Sequence, residues 1–434
     1  MALEDFKKDI YTCVKCGSCR TWFDKADKKD SALGLPICPS GEKFGFETYF
    51  CKGKLDIAKG LIEGGLEWNE RVLQLVYDCP LCRACDYQCY QSINNRPLNV
   101  IKELRNELFK RGITSKKYEI LPKLHKGVMD YGNPFFQPNE NREKFSKKLG
   151  AKGITPDTKT LFFLGCSATF DHTSNFIAKS MAGIMNKAGE EWGLLGKDEL
   201  CCGHPFTDLG DEDGFKKKAK EGIDMINQTG IDTLVTVCTA CYDTIKNEWP
   251  KIAPLNFQVK HSNEYILDLL KEKKLEIKGE FRQKVTIHDP CLLVRGNKLA
   301  EEPREIMRNI PGLEIVEMAR CKEKTYCCGA GGLVLLTNPL WSSENAEMRL
   351  EEAISTGAEV MVLPSCPLCY LNFHIALYGY AAAVKLYQDM WDKIPALGKI
   401  LPAAQKLFTP LLKRKKKIKL QVVDLTQLVD KVTD

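Results

Sequence analysis

The chain has 434 residues, of which 44% are hydrophobic and 28% are charged. This composition is typical of a globular protein with two or three domains and an adequate core. The net charge of +6 is small, and much of the excess lies in a basic run at residues 413–417. Because nucleic-acid binding needs a broad basic face that also carries aromatic side chains, we expect no nucleic-acid partner.

The 20 cysteines are the outlying number in this composition. Disulfide frameworks are typical of short secreted chains, whereas this chain is long. Its first residues, MALEDFKKDIY, lack the apolar stretch of a signal peptide. We therefore predict that the cysteines ligate metal or iron–sulfur clusters rather than form disulfides.

Residues 1–115 form the first predicted domain and carry nine of the cysteines among short helical patterns. Two triplets have the spacing C-x2-C-x2-C, which supplies three thiolates to a cubane cluster from one tight turn, while the fourth thiolate comes from the other run. This pattern predicts a ferredoxin-like domain with two cubane [4Fe–4S] clusters. The predicted ligands are Cys13, Cys16, Cys19 and Cys89 for the first cubane, and Cys38, Cys79, Cys82 and Cys85 for the second.

Two points in this domain stay open. Cys38 follows Cys19 after 18 residues instead of the usual short spacing, and Cys51 is its rival as fourth ligand of the second cubane. Structural zinc is the alternative to clusters, since C-x2-C pairs also bind zinc. Zinc sites use two pairs, so two triplets with distant partners favour cubanes.

Residues 116–158 contain no cysteine and are rich in lysine, asparagine, glycine and proline, so we predict a connecting segment there. Residues 159–275 and 276–434 are two copies of one pattern: a single cysteine, an adjacent pair, then C-x2-C. The cysteines are Cys166, Cys201, Cys202, Cys238 and Cys241 in the first copy, and Cys291, Cys327, Cys328, Cys366 and Cys369 in the second.

Each copy alternates predicted strands with predicted helices. Strands are expected at 160–164 and 233–237 in the first copy and at 284–287 and 359–363 in the second, and a cysteine follows soon after each. In α/β folds, ligand sites lie at the carboxyl ends of parallel strands. The sequence therefore predicts an α/β protein: a helical ferredoxin-like two-cluster domain followed by a duplicated cysteine-rich α/β domain. The two copies are expected to face each other across a pseudo-two-fold axis, with a site between them.

The second copy is longer than the first because of an insert at 376–419, where we predict two helices, 381–394 and 403–413. We weigh a helical hairpin packed on the protein or on a soluble partner against contact with a membrane surface or a membrane cytochrome subunit. The uncharged run 360–384 has the length of a transmembrane helix, but it contains prolines and cysteines, so we predict a buried strand and helix instead. We expect a cytoplasmic protein, at most peripheral at the inner face of the membrane.

The repeated cysteine pattern behind a ferredoxin-like domain resembles the catalytic subunit of heterodisulfide reductase, with its duplicated CCG domain, in the fused, membrane-linked form. It is also similar to the iron–sulfur subunits of glycolate and D-lactate dehydrogenases. The resemblance covers nearly the whole chain except the helical insert. The segments that support it are Cys38-Pro39-Ser40, Lys52-Gly53-Lys54, Gly132-Asn133-Pro134-Phe135, His288-Asp289-Pro290-Cys291 and Cys327-Cys328-Gly329-Ala330-Gly331-Gly332.

The resemblance implies that the five cysteines of each copy hold one noncubane [4Fe–4S] cluster. It also implies that a disulfide lies between the two clusters, each of which delivers one electron. All ten cysteines are present, which favours disulfide reduction, and with the eight cubane ligands they account for 18 of the 20. Cys51 and Cys321 are left over, and we expect them to be buried apolar residues.

Histidines beside the cluster cysteines are further candidates. His288 is predicted to supply a proton to a departing thiolate or to hydrogen-bond a cluster sulfur, and the alternative is a histidine that caps the end of a strand. His204, next to the first adjacent pair, is a second candidate of the same kind.

Two functions from different classes remain open on the sequence. One is an enzyme subunit of anaerobic metabolism that reduces a (hetero)disulfide to two thiols and is fed by the N-terminal cubanes. The other is an electron-transfer subunit that relays electrons from a flavoprotein dehydrogenase to a quinone, menaquinone or other carrier. No G-x-G-x-x-G fingerprint follows a predicted strand, so in both cases we expect a flavoprotein or other electron-transfer subunit as partner.

Overall fold

The fold is taken from a computed structural model that describes residues 2–22, 34–89, 96–150, 152–378 and 419–433. It contains a helical N-terminal region, a connecting helical segment and two parallel sheets. The predicted α/β class is confirmed. None of the helices in the described ranges is both long and apolar enough to cross a membrane.

Short helices enclose an apolar cluster in the N-terminal region. The elements are α1 (Lys7–Thr12), β1 (Thr21–Trp22), β2 (Leu35–Pro36), α2 (Pro39–Phe44), α3 (Cys51–Ile62), α4 (Glu70–Tyr77), α5 (Ala84–Gln88) and α6 (Pro97–Lys110). α4 shows why such helices form: the Asn69 side chain accepts hydrogen bonds from the backbone N–H groups of Arg71 and Val72, which caps the first turn. Its apolar face, including Leu73 and Val76, is buried.

The segment predicted to connect the domains forms two helices that pack on the first copy. They are α7 (Ile120–Tyr131) and α8 (Asn139–Lys148). Gly132, in a left-handed conformation, ends α7, and its carbonyl accepts a hydrogen bond from the Cys201 backbone N–H at 3.0 Å. The segment therefore takes part in positioning a cysteine of the first copy.

Both copies contain a parallel sheet with the same strand order. The strands are β3 (Lys152–Gly153), β4 (Thr160–Phe163), β5 (Trp192–Leu194), β6 (Thr233–Thr236), β7 (Gln258–His261), β8 (Lys284–Ile287), β9 (Glu314–Ile315), β10 (Val360–Leu363) and β11 (Gln421–Asp424). The first sheet has the order β3-β5-β4-β6-β7 and the second β9-β8-β10-β11, so the last four strands of the first sheet match the second. Strands β4 and β10 are buried along their whole length, as expected for strands covered on both faces.

Helices follow the strands in both copies, and the cysteines lie where strand passes into helix. The helices are α9 (Cys166–Phe170), α10 (Asn175–Lys187), α11 (His204–Leu209), α12 (Glu212–Asn227), α13 (Thr239–Asp243), α14 (Ser262–Lys271), α15 (Glu302–Arg308), α16 (Val334–Thr337), α17 (Pro339–Ser355), α18 (Pro367–Tyr378) and α19 (Leu425–Val432). Helix α9 begins at Cys166, α13 directly after Cys238, and α18 directly after Cys366. One π-helical turn occurs in each copy, at Thr244–Glu248 and Leu292–Gly296.

The two copies pack against each other reciprocally. Helix α10, which follows the first central strand of copy one, packs on α19, the last helix of copy two. Helix α15, which follows the first central strand of copy two, packs on α14, the last helix of copy one. Apolar residues of both sheets belong to one common core. This exchange of equivalent helices is what the predicted pseudo-two-fold relation requires.

The uncharged run at 360–384 contains strand β10 and helix α18 up to residue 378, in agreement with the predicted strand and helix. The predicted insert falls largely outside the described residues, which resume at 419. The two helices predicted in it, and the membrane or partner contact predicted for it, lie outside the described part of the chain as well.

The last strand of each copy ends in a buried titratable residue that contacts Ser365. The His261 ring nitrogen Nε2 lies 3.1 Å from the Ser365 carbonyl oxygen, to which it donates, and Oδ1 of Asp424 accepts from the Ser365 hydroxyl at 2.9 Å. Burial lowers the pKa of His261 to about 3, and burial raises the pKa of Asp424 to about 6. Both groups are therefore neutral over part of the range in which an unfolded chain would charge them.

Replacing His261 by glutamine is expected to flatten the acid side of the stability profile. The unfolded histidine gains a proton below its ordinary pKa of 6.5, whereas the buried one stays neutral to about 3, so stability is lost as the pH falls through this window. The slope reaches about 1.4 kcal/mol per pH unit. Asp424 has the opposite effect, because the protein loses stability as the pH rises from 3.8 to about 6. Asp424 is present in both the wild type and the His261→Gln variant, so its effect is common to the two curves. Denaturant midpoints between about pH 7.5 and about pH 5.5 measure the difference; parallel curves would contradict the assignment.

Candidate iron–sulfur and disulfide site

The two triplets of the N-terminal region have the same backbone turn. In each, the residues on both sides of the middle cysteine are left-handed: Lys15 and Gly17 around Cys16, with φ of 56° and 79°, and Leu81 and Arg83 around Cys82, with φ of 51° and 62°. Because a left-handed residue reverses the chain, two of them within five residues bring three side chains to one side of the turn. The triplets are therefore folded alike, as their common spacing predicts.

Each predicted quartet of cysteines lines one small cavity. A cavity of about 30 Å³ is lined by Cys13, Cys16, Cys19 and Cys89, and also by Cys85 of the other quartet. A second cavity, of about 20 Å³, is lined by Cys38, Cys79, Cys82 and Cys85. Cys38 lies at the start of α2, where its sulfur accepts a hydrogen bond from the Gly41 N–H at 3.4 Å. The structure thus brings together the residues that the spacing assigns to each cubane.

Cys51 lies between these two cavities and lines both of them. It is buried at the first position of α3, and its thiol is within hydrogen-bonding reach of Cys19 and Cys85. A hydrogen bond from Cys51 lowers the pKa of Cys19 to about 7. The ligand role of Cys38 and the non-ligand role of Cys51 both stay predictions.

The five cysteines of the first copy are buried around one cavity of about 150 Å³. Gly203 follows the adjacent pair with φ +91°, and a Cβ there would lie 2.9 Å from the Phe215 ring, so only glycine fits this turn. A hydrogen bond from Cys201 lowers the pKa of Cys202 to about 6, and one from Cys241 lowers the pKa of Cys238 to about 7. The pKa values of Cys166, Cys201 and Cys241 are raised, chiefly by hydrogen bonds with neighbouring cysteines and by burial, so the five thiols are tightly coupled to one another.

A buried arginine from the connecting segment contacts this first set. The Arg142 guanidinium donates to Glu199 at 2.6 Å and to the Gly165 carbonyl at 3.1 Å, and its Nη2 lies 3.6 Å from the Cys166 sulfur. Glu199 in turn accepts from the backbone N–H groups of Leu164 and Gly165, at the end of β4. Sequence reasoning missed Arg142, because its partners are far away along the chain and no local pattern marks it.

The five cysteines of the second copy line a cavity of about 60 Å³. The Cys291 and Cys327 sulfurs are 3.8 Å apart, and those of Cys328 and Cys369 are 3.4 Å apart. A hydrogen bond from Cys327 lowers the pKa of Cys82 to about 6. The second cubane site therefore touches the cysteine site of the second copy.

The two five-cysteine cavities adjoin and share one wall. This wall is formed by His204, Asp208, Cys238, Ala240, Gly331 and Leu368. Ala240 and Leu368 occupy the same position in the two C-x2-C motifs. The pseudo-symmetry therefore places Ala240 on the first copy's side of the wall and Leu368 on the second copy's side. A direct link crosses between the copies, where the Thr239 hydroxyl donates to the Cys366 sulfur at 3.2 Å.

The two candidate histidines have different surroundings. His204 lines both cavities, and its Nδ1 is 3.0 Å from the Thr244 hydroxyl. His288 is fully buried, lines neither cavity, and accepts from Arg349 Nε at Nδ1, 3.2 Å away. Burial lowers the pKa of His288. A ligand atom of His288 lies within 4.8 Å of Cys328 and Cys369, which suits a hydrogen bond to a ligand sulfur; proton supply by His288 stays a prediction.

Comparison with known proteins agrees with this arrangement. The family model of the cysteine-rich CCG domain matches the chain twice, at residues 160–246 and 285–374. A subunit of dihydromethanophenazine:CoB–CoM heterodisulfide reductase from Methanosarcina acetivorans is 30% identical over 379 residues, which cover 84% of this chain and 88% of that protein. The chain belongs to the family of this heterodisulfide reductase subunit. It is an iron–sulfur oxidoreductase related to that enzyme.

Other proteins that are similar to this chain have names that do not mention heterodisulfide reductase. A probable iron–sulfur-binding oxidoreductase, FadF, from Bacillus subtilis is 29% identical over 416 residues, covering 85% of this chain and 57% of that one. EtfAB:quinone oxidoreductase from Syntrophomonas wolfei is 26% identical over 316 residues, covering 68% and 42%. A hypothetical protein from Helicobacter pylori shares the fold, with a TM-score of 0.54 at 12% identity over 88% of this chain and 68% of that one.

The cysteines of this chain fit iron–sulfur clusters better than zinc. All 20 cysteines are free thiols, and the sets of five exceed the four ligands of a zinc site. His288 is buried and forms a hydrogen bond with the side chain of Cys328, in the second set. A buried imidazole beside these sulfurs fits a sulfur-rich, anionic group that would accept a hydrogen bond from it.

Iron content separates Cys38 from its rival Cys51. We expect Cys38→Ala to lower the iron bound after anaerobic reconstitution by about four atoms per chain, because one cubane loses its fourth thiolate. Cys51→Ala is expected to keep the wild-type iron content. Cys321→Ala, at the other unassigned cysteine, is the matched control. The reverse pattern, with iron lost from Cys51→Ala alone, would exchange the two assignments.

Proposed function

We propose that the protein reduces a disulfide to two thiols at the wall shared by the two five-cysteine cavities. The reaction takes up two electrons and two protons: RS–SR′ becomes RSH and R′SH. The observation that carries the proposal is that two complete sets of five cysteines open onto one common wall. A disulfide lying across this wall would have one sulfur near each set.

The five-cysteine cavities are larger than the four-cysteine cavities, which supports a substrate site beside the five-cysteine sets. The four-cysteine cavities measure about 30 and 20 Å³, whereas the five-cysteine cavities measure about 150 and 60 Å³. If all four sets hold a cluster with four irons, the larger cavities have space left over. A site that only conducted electrons would not need this space.

Cysteines of this chain would hold the iron–sulfur clusters and shield them from water. We propose that Cys166, Cys201, Cys202, Cys238 and Cys241 hold one noncubane cluster and that Cys291, Cys327, Cys328, Cys366 and Cys369 hold the other, with cubanes on the two N-terminal quartets. When bound, these clusters supply electrons one at a time. Nine of the ten cysteines of the duplicated domain are buried, which excludes water from the sulfurs.

The two sides of the shared wall differ in character, which favours a disulfide with two unlike halves. Beyond the cysteines, the first cavity is lined mainly by apolar side chains: Leu124, Phe135, Leu333, Leu336 and Leu371. The second cavity also has apolar residues, such as Leu81 and Leu98, but its lining adds the charged side chains of Arg83, Lys102 and Asp243. We propose that the substrate is a heterodisulfide with its more apolar half on the side of the first copy and its more polar half beside Lys102.

The cysteine sets lie in series from the surface to the shared wall. Cys16 is the only exposed cysteine of the 20, and it belongs to the first quartet. Cys51 adjoins both quartets, and Cys82 of the second quartet contacts Cys327 of the second copy. This order fits a partner subunit, flavoprotein or other, that exchanges electrons at the Cys16 end of a complex.

The test is anaerobic oxidation of reduced viologen dye by the coenzyme M–coenzyme B heterodisulfide. The preparation must first be shown to hold about 16 irons per chain, the load of four four-iron clusters. Turnover that needs the disulfide and yields two thiols supports the proposal. No turnover at full iron load with this or other unlike-halved disulfides would overturn it.

A relay between a flavoprotein and a quinone is the second candidate. The exposure of Cys16 in the first quartet favours it, because an electron carrier needs an accessible end. The name of the Syntrophomonas wolfei relative, EtfAB:quinone oxidoreductase, describes such an activity for that protein. The same preparation decides between them: a relay would pass electrons from viologen to a water-soluble quinone and leave disulfides intact.

A further inference from the structure

Two buried cations lie near the second N-terminal quartet: Lys54 lines its cavity, and Arg105 contacts the backbone of Cys79. Lys54, on α3, is 1% exposed, is the one lysine buried within the described ranges, and lines this cavity together with Cys38 and Cys79. Its ammonium group donates to the Tyr49 carbonyl and lies 3.5 Å from the Ser40 hydroxyl. In the described part of the chain it forms no ion pair with a carboxylate.

Arg105, on α6, is the second cation and is fully buried. Its guanidinium donates only to backbone carbonyl oxygens among the described residues. These belong to Cys79 at 2.8 Å, Val76 at 3.3 Å, Tyr77 at 3.5 Å, Asp208 at 2.7 Å and Gly332 at 3.1 Å. The side chain thus joins the N-terminal region to both copies, and its charge too has no carboxylate partner within the described ranges.

Ion pairing is otherwise the rule for buried arginines in this chain. The pairs are Arg142 with Glu199 at 2.6 Å, Arg304 with Asp289 at 2.8 Å and Arg349 with Glu352 at 2.7 Å. A buried charge without a counter-charge costs several kcal/mol. One such cation in the lining of the thiol cavity, and a second on the backbone of the same quartet, therefore point to an anion that the protein is built to hold there.

We propose that Lys54 and Arg105 are the counter-ions of an anionic iron–sulfur cluster held by Cys38, Cys79, Cys82 and Cys85. They act as positioning residues that raise its reduction potential, because a nearby positive charge stabilises the cluster more in its reduced, more negative form. This inference rests on the cluster and is independent of the disulfide reaction.

The test compares Lys54→Met with Lys54→Arg in the full-length, reconstituted protein. The reduction potentials are read by redox titration followed by electron paramagnetic resonance, with iron content measured alongside. We expect Lys54→Met to move one midpoint to a more negative potential and Lys54→Arg to leave it near the wild-type value. Lys59→Met is the matched control on the same helix, since Lys59 is partly exposed and pairs with Glu63 at 3.9 Å.

Each outcome is decisive for the inference. Iron lost from Lys54→Met and restored in Lys54→Arg would also support a required charge. Unchanged midpoints in Lys54→Met at full iron load would overturn the proposal, and so would equal iron loss in both Lys54 variants, since that would show a role in packing. A second experiment measures how much Lys54→Met destabilises the iron-free and the iron-loaded protein. The loss of stability should be smaller in the iron-free protein. Equal losses in the two forms would overturn the role of Lys54 as a counter-ion.

Discussion

Replacing Ala240 by leucine is expected to lower disulfide turnover by at least about 100-fold while iron content stays at the wild-type level. Ala240 lines both five-cysteine cavities, in the wall that we propose as the place of the disulfide. A larger side chain there fills space that the substrate needs, but it removes no thiolate. Steady-state oxidation of reduced viologen by the heterodisulfide, normalised to iron, measures the effect.

Two variants control for this substitution. Ala240→Ser keeps the side chain small and should retain most of the turnover. Leu368→Ala, at the pseudo-symmetric position, enlarges the space at the same wall. In this variant viologen should still reduce the clusters fully. If Ala240→Leu turns over disulfide at the wild-type rate, the substrate does not lie on this wall.

Replacing Arg142 by methionine is expected to destabilise the protein by about 3–5 kcal/mol. Glu199, which is fully buried, would lose its 2.6 Å ion pair and keep only the backbone N–H groups of Leu164 and Gly165 as donors. The sulfur of Cys166 would lose this donor as well, and the Gly165 carbonyl would keep only the Thr169 hydroxyl. Because the donor lies beside the first five-cysteine set, we expect iron in that set to bind more weakly, measured as chelator-accessible iron.

A double variant shows whether the ion pair is responsible. Arg142→Met combined with Glu199→Gln removes the unpaired charge, so it should recover part of the stability lost in the single variant. Arg308→Met is the control, because its contact with Glu301 is 3.4 Å long and exposed, and surface pairs contribute about 0–1 kcal/mol. Equal destabilisation in the single and double variants would contradict the role given to Glu199.

The parts that could be predicted from the sequence have local causes. A C-x2-C-x2-C triplet makes its turn within seven residues, so Cys13–Cys19 and Cys79–Cys85 could be assigned from spacing alone. The central strands could be predicted because buried parallel strands are continuous apolar runs, as in β4 and β10. The short strands β3 and β9 were not predicted, since two residues of strand have no periodicity to detect.

The buried cations could not be predicted, because their surroundings arise from distant parts of the chain. Arg105 on α6 meets the carbonyl of Gly332, and Arg142 meets Glu199, so their burial depends on how three regions pack. Residues 116–158 illustrate the difficulty. Their composition predicted a connecting segment, yet they supply Arg142, and Phe135 lines the first five-cysteine cavity. Nothing local marks a lysine or arginine that the fold will bury.

The most direct measurement of the central claim is an anaerobic crystal structure of the iron-loaded protein soaked with the heterodisulfide or its thiol products. We predict that the two substrate sulfurs lie on opposite sides of the wall formed by Ala240 and Leu368, one beside the cysteines of each copy. We also predict that the more polar half lies towards Lys102. A substrate bound elsewhere, or iron absent from either five-cysteine set in a protein that still reduces disulfide, would contradict the account.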